Sequence, residues 1–145
     1  MKDYPAIGER LYRRVLPNGL TVLVVPRPGF TRKSAYFVTN FGSLHTDFRF
    51  KGKEYHAPAG VAHYLEHKMF DLPGHDVYPE FAAMGASANA FTSHDLTAYY
   101  FTTTHHFADC LRLLLRSPFV ADLRVHPVFY RGDRGEGAGD HRSGD

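Results

Sequence analysis

The chain has one cysteine, Cys110, and no tryptophan in its 145 residues. A lone thiol cannot build an internal disulfide framework, so the fold must rest on its core and backbone. One cysteine also fits a reducing compartment, and a cytoplasmic location is the default expectation. No apolar run approaches the roughly 18 residues that a membrane helix needs. The N-terminus lacks a signal peptide's charged-then-apolar layout, so no membrane partner is expected. A net charge of +2 is too small to suggest nucleic acid, and no basic cluster is interleaved with aromatics. No internal repeat is visible.

What is present is enough for one domain with a core. Apolar residues make up 43% of the chain, and 12 Phe and 9 Tyr supply the bulk that tryptophan does not. Residues 1–10 read as a polar lead-in. Leu11–Leu16 and Leu20–Val25 are β-prone runs around Pro17-Asn18-Gly19, and Asn-Gly accepts the positive φ of a hairpin turn. Pro26 and Pro28 end the second run. A further strand is expected from Ser34 to Phe41, stopped by a turn at Gly42. Residues 45–58 mix charges with Gly52 and Pro58 and read as a loop in which His56 is solvated.

Beyond Pro58 and Gly60, Ala62, Leu65, Met69 and Phe70 recur at helical spacing. A second short helix is expected over His75–Met84, with Val77, Phe81 and Met84 on one side and Gly85 as its stop. Ala88–Ser93 and Leu96–Thr103 read as antiparallel strands around Ser93-His94-Asp95. His105–Leu115 returns to helical periodicity, with Phe107, Cys110, Leu111, Leu114 and Leu115 apolar. Cys110 reads as a small core residue, and His105 and His106 as exposed ends. This order implies an α+β domain, a mostly antiparallel sheet with helices packed on one face. From Arg116 the hydrophobic period is lost, so 116–145 reads as a divergent, disordered tail.

Within the first helix, His63, Glu66 and His67 fall inside five positions. In a helix, residues four apart lie one above the other on one face, so the two imidazoles could share a zinc ion. Glu66 leans over that face, where it could take a proton from water activated by the metal. The five letters alone also fit two surface histidines on an amphipathic helix.

The flanks decide between these readings. Gly60-Val61-Ala62-His63-Tyr64-Leu65-Glu66-His67-Lys68-Met69-Phe70 resembles the signature of the pitrilysin/insulinase family of zinc peptidases, whose motif inverts the commoner zincin order. Two further blocks resemble the family in the right order. They are Leu16-Pro17-Asn18-Gly19-Leu20-Thr21-Val22 and Gly85-Ala86-Ser87-Ala88-Asn89-Ala90-Phe91-Thr92-Ser93, the latter followed by Thr97-Ala98-Tyr99. The resemblance implies the metalloenzyme fold of pitrilysin and the mitochondrial processing peptidases, here incomplete, with residues 1–115 as the N-terminal portion of a catalytic domain. It implies a zinc endopeptidase acting on peptides or small proteins, with one zinc ion on His63 and His67 and Glu66 as general base. It also implies that Asn89, Ala90 and Phe91 hold substrate as an added strand, and that a homologous second domain closes over it.

The family's third ligand, a glutamate on a later helix, has no counterpart here. Near the expected place stand only Glu136, Asp140 and Asp145, in sequence without helical pattern. A two-histidine site holds zinc weakly, so the chain as written is expected to be inactive. The hypothesis that explains the departure is a shifted reading frame somewhere after Leu115. Read one nucleotide forward, Gly139 to Asp145 can encode Gly-Ile-Ile-Gly-Gln-Glu-Ile, which resembles the third-ligand helix and puts a glutamate where Gly144 stands. Two other functions share the motif or the fold. One is a non-catalytic pseudo-peptidase or structural subunit, as in the respiratory-complex core proteins. The other is the zinc lyase that cleaves S-ribosylhomocysteine, which would need a reactive cysteine near the metal.

Overall fold

A computed structural model describes residues 1–50, 52–72 and 75–116. In chain order the elements are β1 (Lys2–Tyr4), β2 (Glu9–Val15), β3 (Thr21–Val24), β4 (Lys33–Thr39), β5 (Asp47–Phe50), β6 (Lys53–His56), α1 (Val61–Phe70), β7 (Asp71–Leu72), β8 (His75–Asp76), α2 (Tyr78–Ala83), β9 (Ser87–Thr92), β10 (Thr97–Thr103) and α3 (Phe107–Arg116). The fold is α+β, and every strand pairing is antiparallel. The expected tail from residue 117 onward lies outside the described residues.

The first sheet has the order β1-β2-β3. Its hairpin turns where the sequence places it. Gly19 sits at φ 83°, and the Leu20 N–H donates to Asn18 Oδ1 at 3.1 Å. The polar lead-in is not a lead-in. It forms β1, and Asp3 faces Arg10 across the pair with Arg10 Nε donating to Asp3 Oδ1 at 2.8 Å. The expected loop over 45–58 also folds, into the β5–β6 hairpin about Gly52 at φ 77°. Cross-strand partners explain it: Phe48 stacks on Tyr55 with centroids 5.5 Å apart, Arg49 meets Glu54 at 2.6 Å, and His56 pairs with Asp47. His56 is exposed, as expected, but not merely solvated.

The central sheet has the order β4-β10-β9, so β9 is an edge among the described residues. Its two faces differ by the period-two rule. Phe37, Tyr99, Phe101, Ala88 and Ala90 point to the side where α1, α2 and α3 pack. There they meet Met69, Phe70, Val77, Phe81, Cys110 and Leu114. Phe101 is fully buried between Phe81 and Phe107, with ring centroids at 5.7 and 5.5 Å. On the opposite face Tyr36, Val38 and Phe91 are exposed, and Tyr36 stacks on Tyr100.

Gly42 is more than a turn residue. A Cβ there would lie 2.5 Å from the Ser93 carbonyl oxygen and 2.6 Å from the Asp95 nitrogen. Only glycine lets residues 41–46 close on the tip of the β9–β10 hairpin. Two backbone bonds hold the contact, Ser43 N–H to Ser93 O at 2.9 Å and Leu44 N–H to His94 O at 3.0 Å. The helix expected over His75–Met84 is shorter than that, because His75 and Asp76 pair with β7 and Asp76 Oδ1 accepts the Tyr78 N–H. Gly85, at φ 68°, ends it as expected, with the Ala86 N–H returning to Phe81 O. Cys110 lies on the buried side of α3, where burial pushes its thiol pKa up and Asp109 adds to the rise.

Phe101→Ala should cost about 3–5 kcal/mol, because both ring partners lose contact and leave a cavity. Phe91→Ala, on the open face, should cost under about 1 kcal/mol. Urea unfolding of the two variants checks the ranking.

Candidate metal centre

The motif helix starts at a backbone turn. Gly60 has φ 92°, a conformation that favours glycine, and its carbonyl accepts the Tyr64 N–H at 2.9 Å. The buried stripe of α1 is Ala62, Glu66, Met69 and Phe70. That stripe corrects the expected one. Leu65 is 40% exposed, and a carboxylate takes the inward place one position on. Burying a charged carboxylate is costly, so its presence in a core stripe points to chemistry rather than packing.

His63 and His67 face outward from the same helix. Their Nε2 atoms lie 3.0 Å apart, with ring centroids at 4.7 Å. Glu66 Oε2 lies 3.8 Å from His63 Nε2, and its side chain is only 11% exposed against 65% for His63. One ligand atom from each of the three falls within 4.8 Å of the others. Two nitrogens bound to one tetrahedral zinc at 2.0–2.1 Å stand about 3.3 Å apart. The pair as folded is a few tenths of an ångström from that spacing, and neutral imidazole nitrogens suit the ion. The residues fit zinc.

The surroundings of Glu66 were not legible from the motif. Burial, and next the charge of Glu66, push the Tyr99 phenol far above its ordinary range. The same two causes, with Asp76 added, raise Tyr78. Both phenols thus feel the charge of Glu66. The Phe70 ring meets Tyr78 at 5.2 Å and Tyr99 at 5.5 Å, a tertiary packing that no local sequence pattern carries.

The other expected site residues divide by face. Ala90, with Ala88, packs inward on the cluster that contains Met69 and Phe70 of α1. Asn89 and Phe91 point away from that core, and both are exposed. Asn89 Oδ1 accepts the Ala90 N–H at 2.8 Å, so a side chain engages that donor of the edge strand. The structure thus brings α1 against β9. It leaves the carboxylates Glu136, Asp140 and Asp145 outside the described residues. Among the described residues, His63, Glu66 and His67 form the one cluster with metal-ligand spacing.

The family described as Insulinase (Peptidase family M16) matches residues 52–115. The uncharacterized zinc protease YmfH of Bacillus subtilis is 43% identical over 122 residues, covering 83% of this chain and 28% of that protein. Human insulin-degrading enzyme is 34% identical over 103 residues, covering 67% of this chain and 9% of that one. The crystal structure of an M16-like peptidase from Alicyclobacillus acidocaldarius superposes with a TM-score of 0.68 at 44% identity, over 74% of this chain and 25% of that one. The chain spans about a quarter of the first of these relatives. With the inverted motif folded as a helix over an α+β sheet, and with these relatives, the chain belongs to the pitrilysin/insulinase family of peptidases.

Proposed function

We propose that this chain is the N-terminal part of a zinc endopeptidase domain, with His63 and His67 as metal ligands and Glu66 as general base. The observation that carries the reading is the paired Nε2 atoms at 3.0 Å with a buried carboxylate one turn away. Zinc held there supplies the Lewis acidity that polarises a scissile carbonyl and makes water a nucleophile at neutral pH. Glu66 accepts the proton from the attacking water and returns it to the leaving amine. Its carboxylate lies 3.8 Å from His63 Nε2 and is only 11% exposed. The open edge of β9 receives the peptide as an additional strand, with Asn89 turning from the Ala90 N–H to the substrate backbone. A homologous second domain, a peptide or small-protein substrate and a cytoplasmic location belong to this proposal.

The complete motif disfavours a non-catalytic subunit, because a structural role gains nothing from a carboxylate in the core stripe. The lyase reading is disfavoured by Cys110, which is fully buried with a raised thiol pKa. Residues 116–145 are proposed as the product of a shifted frame. In the forward frame His126 to Tyr130 can also read Thr-Pro-Tyr-Phe-Thr, which resembles the family segment before the third-ligand helix. As written, the chain then binds zinc weakly and cleaves nothing.

In a domain extended through its third ligand, Glu66→Gln should keep zinc and lower peptide cleavage by at least about 100-fold, the typical contribution of general-base catalysis. His63→Ala or His67→Ala should lose metal and activity together. Metal analysis beside a fluorogenic-peptide assay reads both, and cleavage surviving in Glu66→Gln would remove its role.

Asn89→Ala in the same domain should reduce turnover with a melting temperature within a few degrees of the parent, about what a surface change of under 0.5 kcal/mol allows. A large fall in melting temperature with full activity per folded molecule would make Asn89 a packing residue instead.

Resequencing the gene around codon 116 should reveal a frame that continues as one domain. A genomic read that confirms the written tail, together with tight zinc binding by a monomer of the 145-residue chain, would contradict the proposal.

A further inference from the structure

The turn between β2 and β3 sets a side-chain amide against the backbone nitrogen that follows it. Asn18 and Gly19 are exposed at its tip. The Leu20 N–H donates to Asn18 Oδ1 at 3.1 Å, and this bond folds the side chain back over the Asn18–Gly19 peptide, as in an Asx turn. The amide carbon Cγ is thereby brought toward the Gly19 nitrogen. Gly19 carries no Cβ to hinder the approach. The bond to Oδ1 also draws electron density from Cγ and stabilises that oxygen as it gains charge during attack.

One contact opposes the reaction. The Gly19 N–H donates to Leu16 O at 2.9 Å, beside a second bond from the Leu16 N–H to Leu20 O at 2.9 Å. The nitrogen must give up that proton before it can attack, so the step is slow and waits on local opening of the turn.

The chain's other two asparagines, Asn40 and Asn89, are set differently. Asn89 lies inside β9, and its Oδ1 accepts the Ala90 N–H at 2.8 Å. The oxygen, not the carbon, therefore faces the next nitrogen. Asn40 precedes Phe41, whose bulky ring is buried and packs edge-on against Phe48 at 5.4 Å.

We propose that Asn18 is a site of spontaneous deamidation in the folded chain. The Gly19 nitrogen loses its proton to water and bonds to Cγ, the Cγ–Nδ2 bond breaks, and ammonia leaves a cyclic imide. Water then opens the imide at either carbonyl, giving aspartate or isoaspartate at position 18. Both products add a negative charge. The isoaspartate also routes the main chain through the side chain, which lengthens the turn between the paired residues Val15 and Thr21.

Mass-spectrometric peptide mapping of the full 145-residue chain, held in mildly alkaline buffer, tests the proposal. The expected result is progressive loss of the Asn18 amide to both products, while Asn40 and Asn89 keep theirs. Labelling with isoaspartyl methyltransferase identifies the isoaspartate. Asn18→Gln, which would have to close a larger ring, should keep its side-chain amide. Gly19→Ala should slow the loss at Asn18 several-fold. Alanine is strained at the φ of 83° held there, so circular dichroism checks that this variant folds, and Asn18→Gln does not depend on it. An Asn18 amide that persists, or is outpaced by Asn40 or Asn89, overturns the assignment. Aspartate without isoaspartate means direct hydrolysis and overturns attack by Gly19, as does unslowed loss in a folded Gly19→Ala chain.

Discussion

The rotational setting of α1 on the sheet is the constraint on which the site depends. Met69 and Phe70 enter the core, and Phe70 meets Tyr99 and Phe81 edge-on, with centroids at 5.5 and 6.5 Å. With those positions held inward, the 3.6-residue period leaves His63 and His67 outward and one above the other. Glu66 falls at the boundary, inside the stripe yet within reach of His63. A turn of the helix large enough to expose Glu66 would pull Phe70 from its aromatic neighbours. Burying Met69 and Phe70 contributes several kcal/mol, far more than any single hydrogen bond at the site. The core therefore dictates the geometry of the imidazole pair.

The same logic extends to the strand beside the helix. Small side chains at Ala88 and Ala90 let β9 lie close beneath the cluster that carries Met69 and Phe70, while period two sends Asn89 and Phe91 the other way. The backbone edge of β9 is thus presented without bulky groups toward the helix. Its far end is fixed by the contact of Gly42 with the 93–95 turn, where a methyl group would collide with backbone. Helix and edge strand are both anchored, the helix by aromatic packing and the strand by a glycine contact.

Much of this was legible in the sequence, and for identifiable reasons. Asn18-Gly19 and Gly85 marked their turns because positive φ has few residue solutions. The motif helix and β9–β10 were readable from periodicity, and the family from three blocks in order. In two stretches charge hides the strand pattern. Asp3 and Arg10 in β1–β2, and Arg49, Glu54 and Asp47 in β5–β6, look like loop polarity but are cross-strand partners. Hydrophobicity favours Leu65 for the inward place, whereas Glu66 holds it. The packing of Met69 and Phe70 sets that choice, and no local pattern encodes it. The lengths of α2 and α3 differed by a few residues, as helix ends do when capping settles them.

The proposed binding of zinc by His63 and His67 is testable atom by atom. Long-range nitrogen–proton NMR spectra of the histidine side chains, recorded as zinc is added, separate the ring nitrogens of all 10 histidines. The expected result is a large shift of Nε2 in His63 and His67 alone, with both rings fixed as Nδ1–H tautomers. Shifts confined to other histidines, or none on saturation with zinc, would contradict the metal centre.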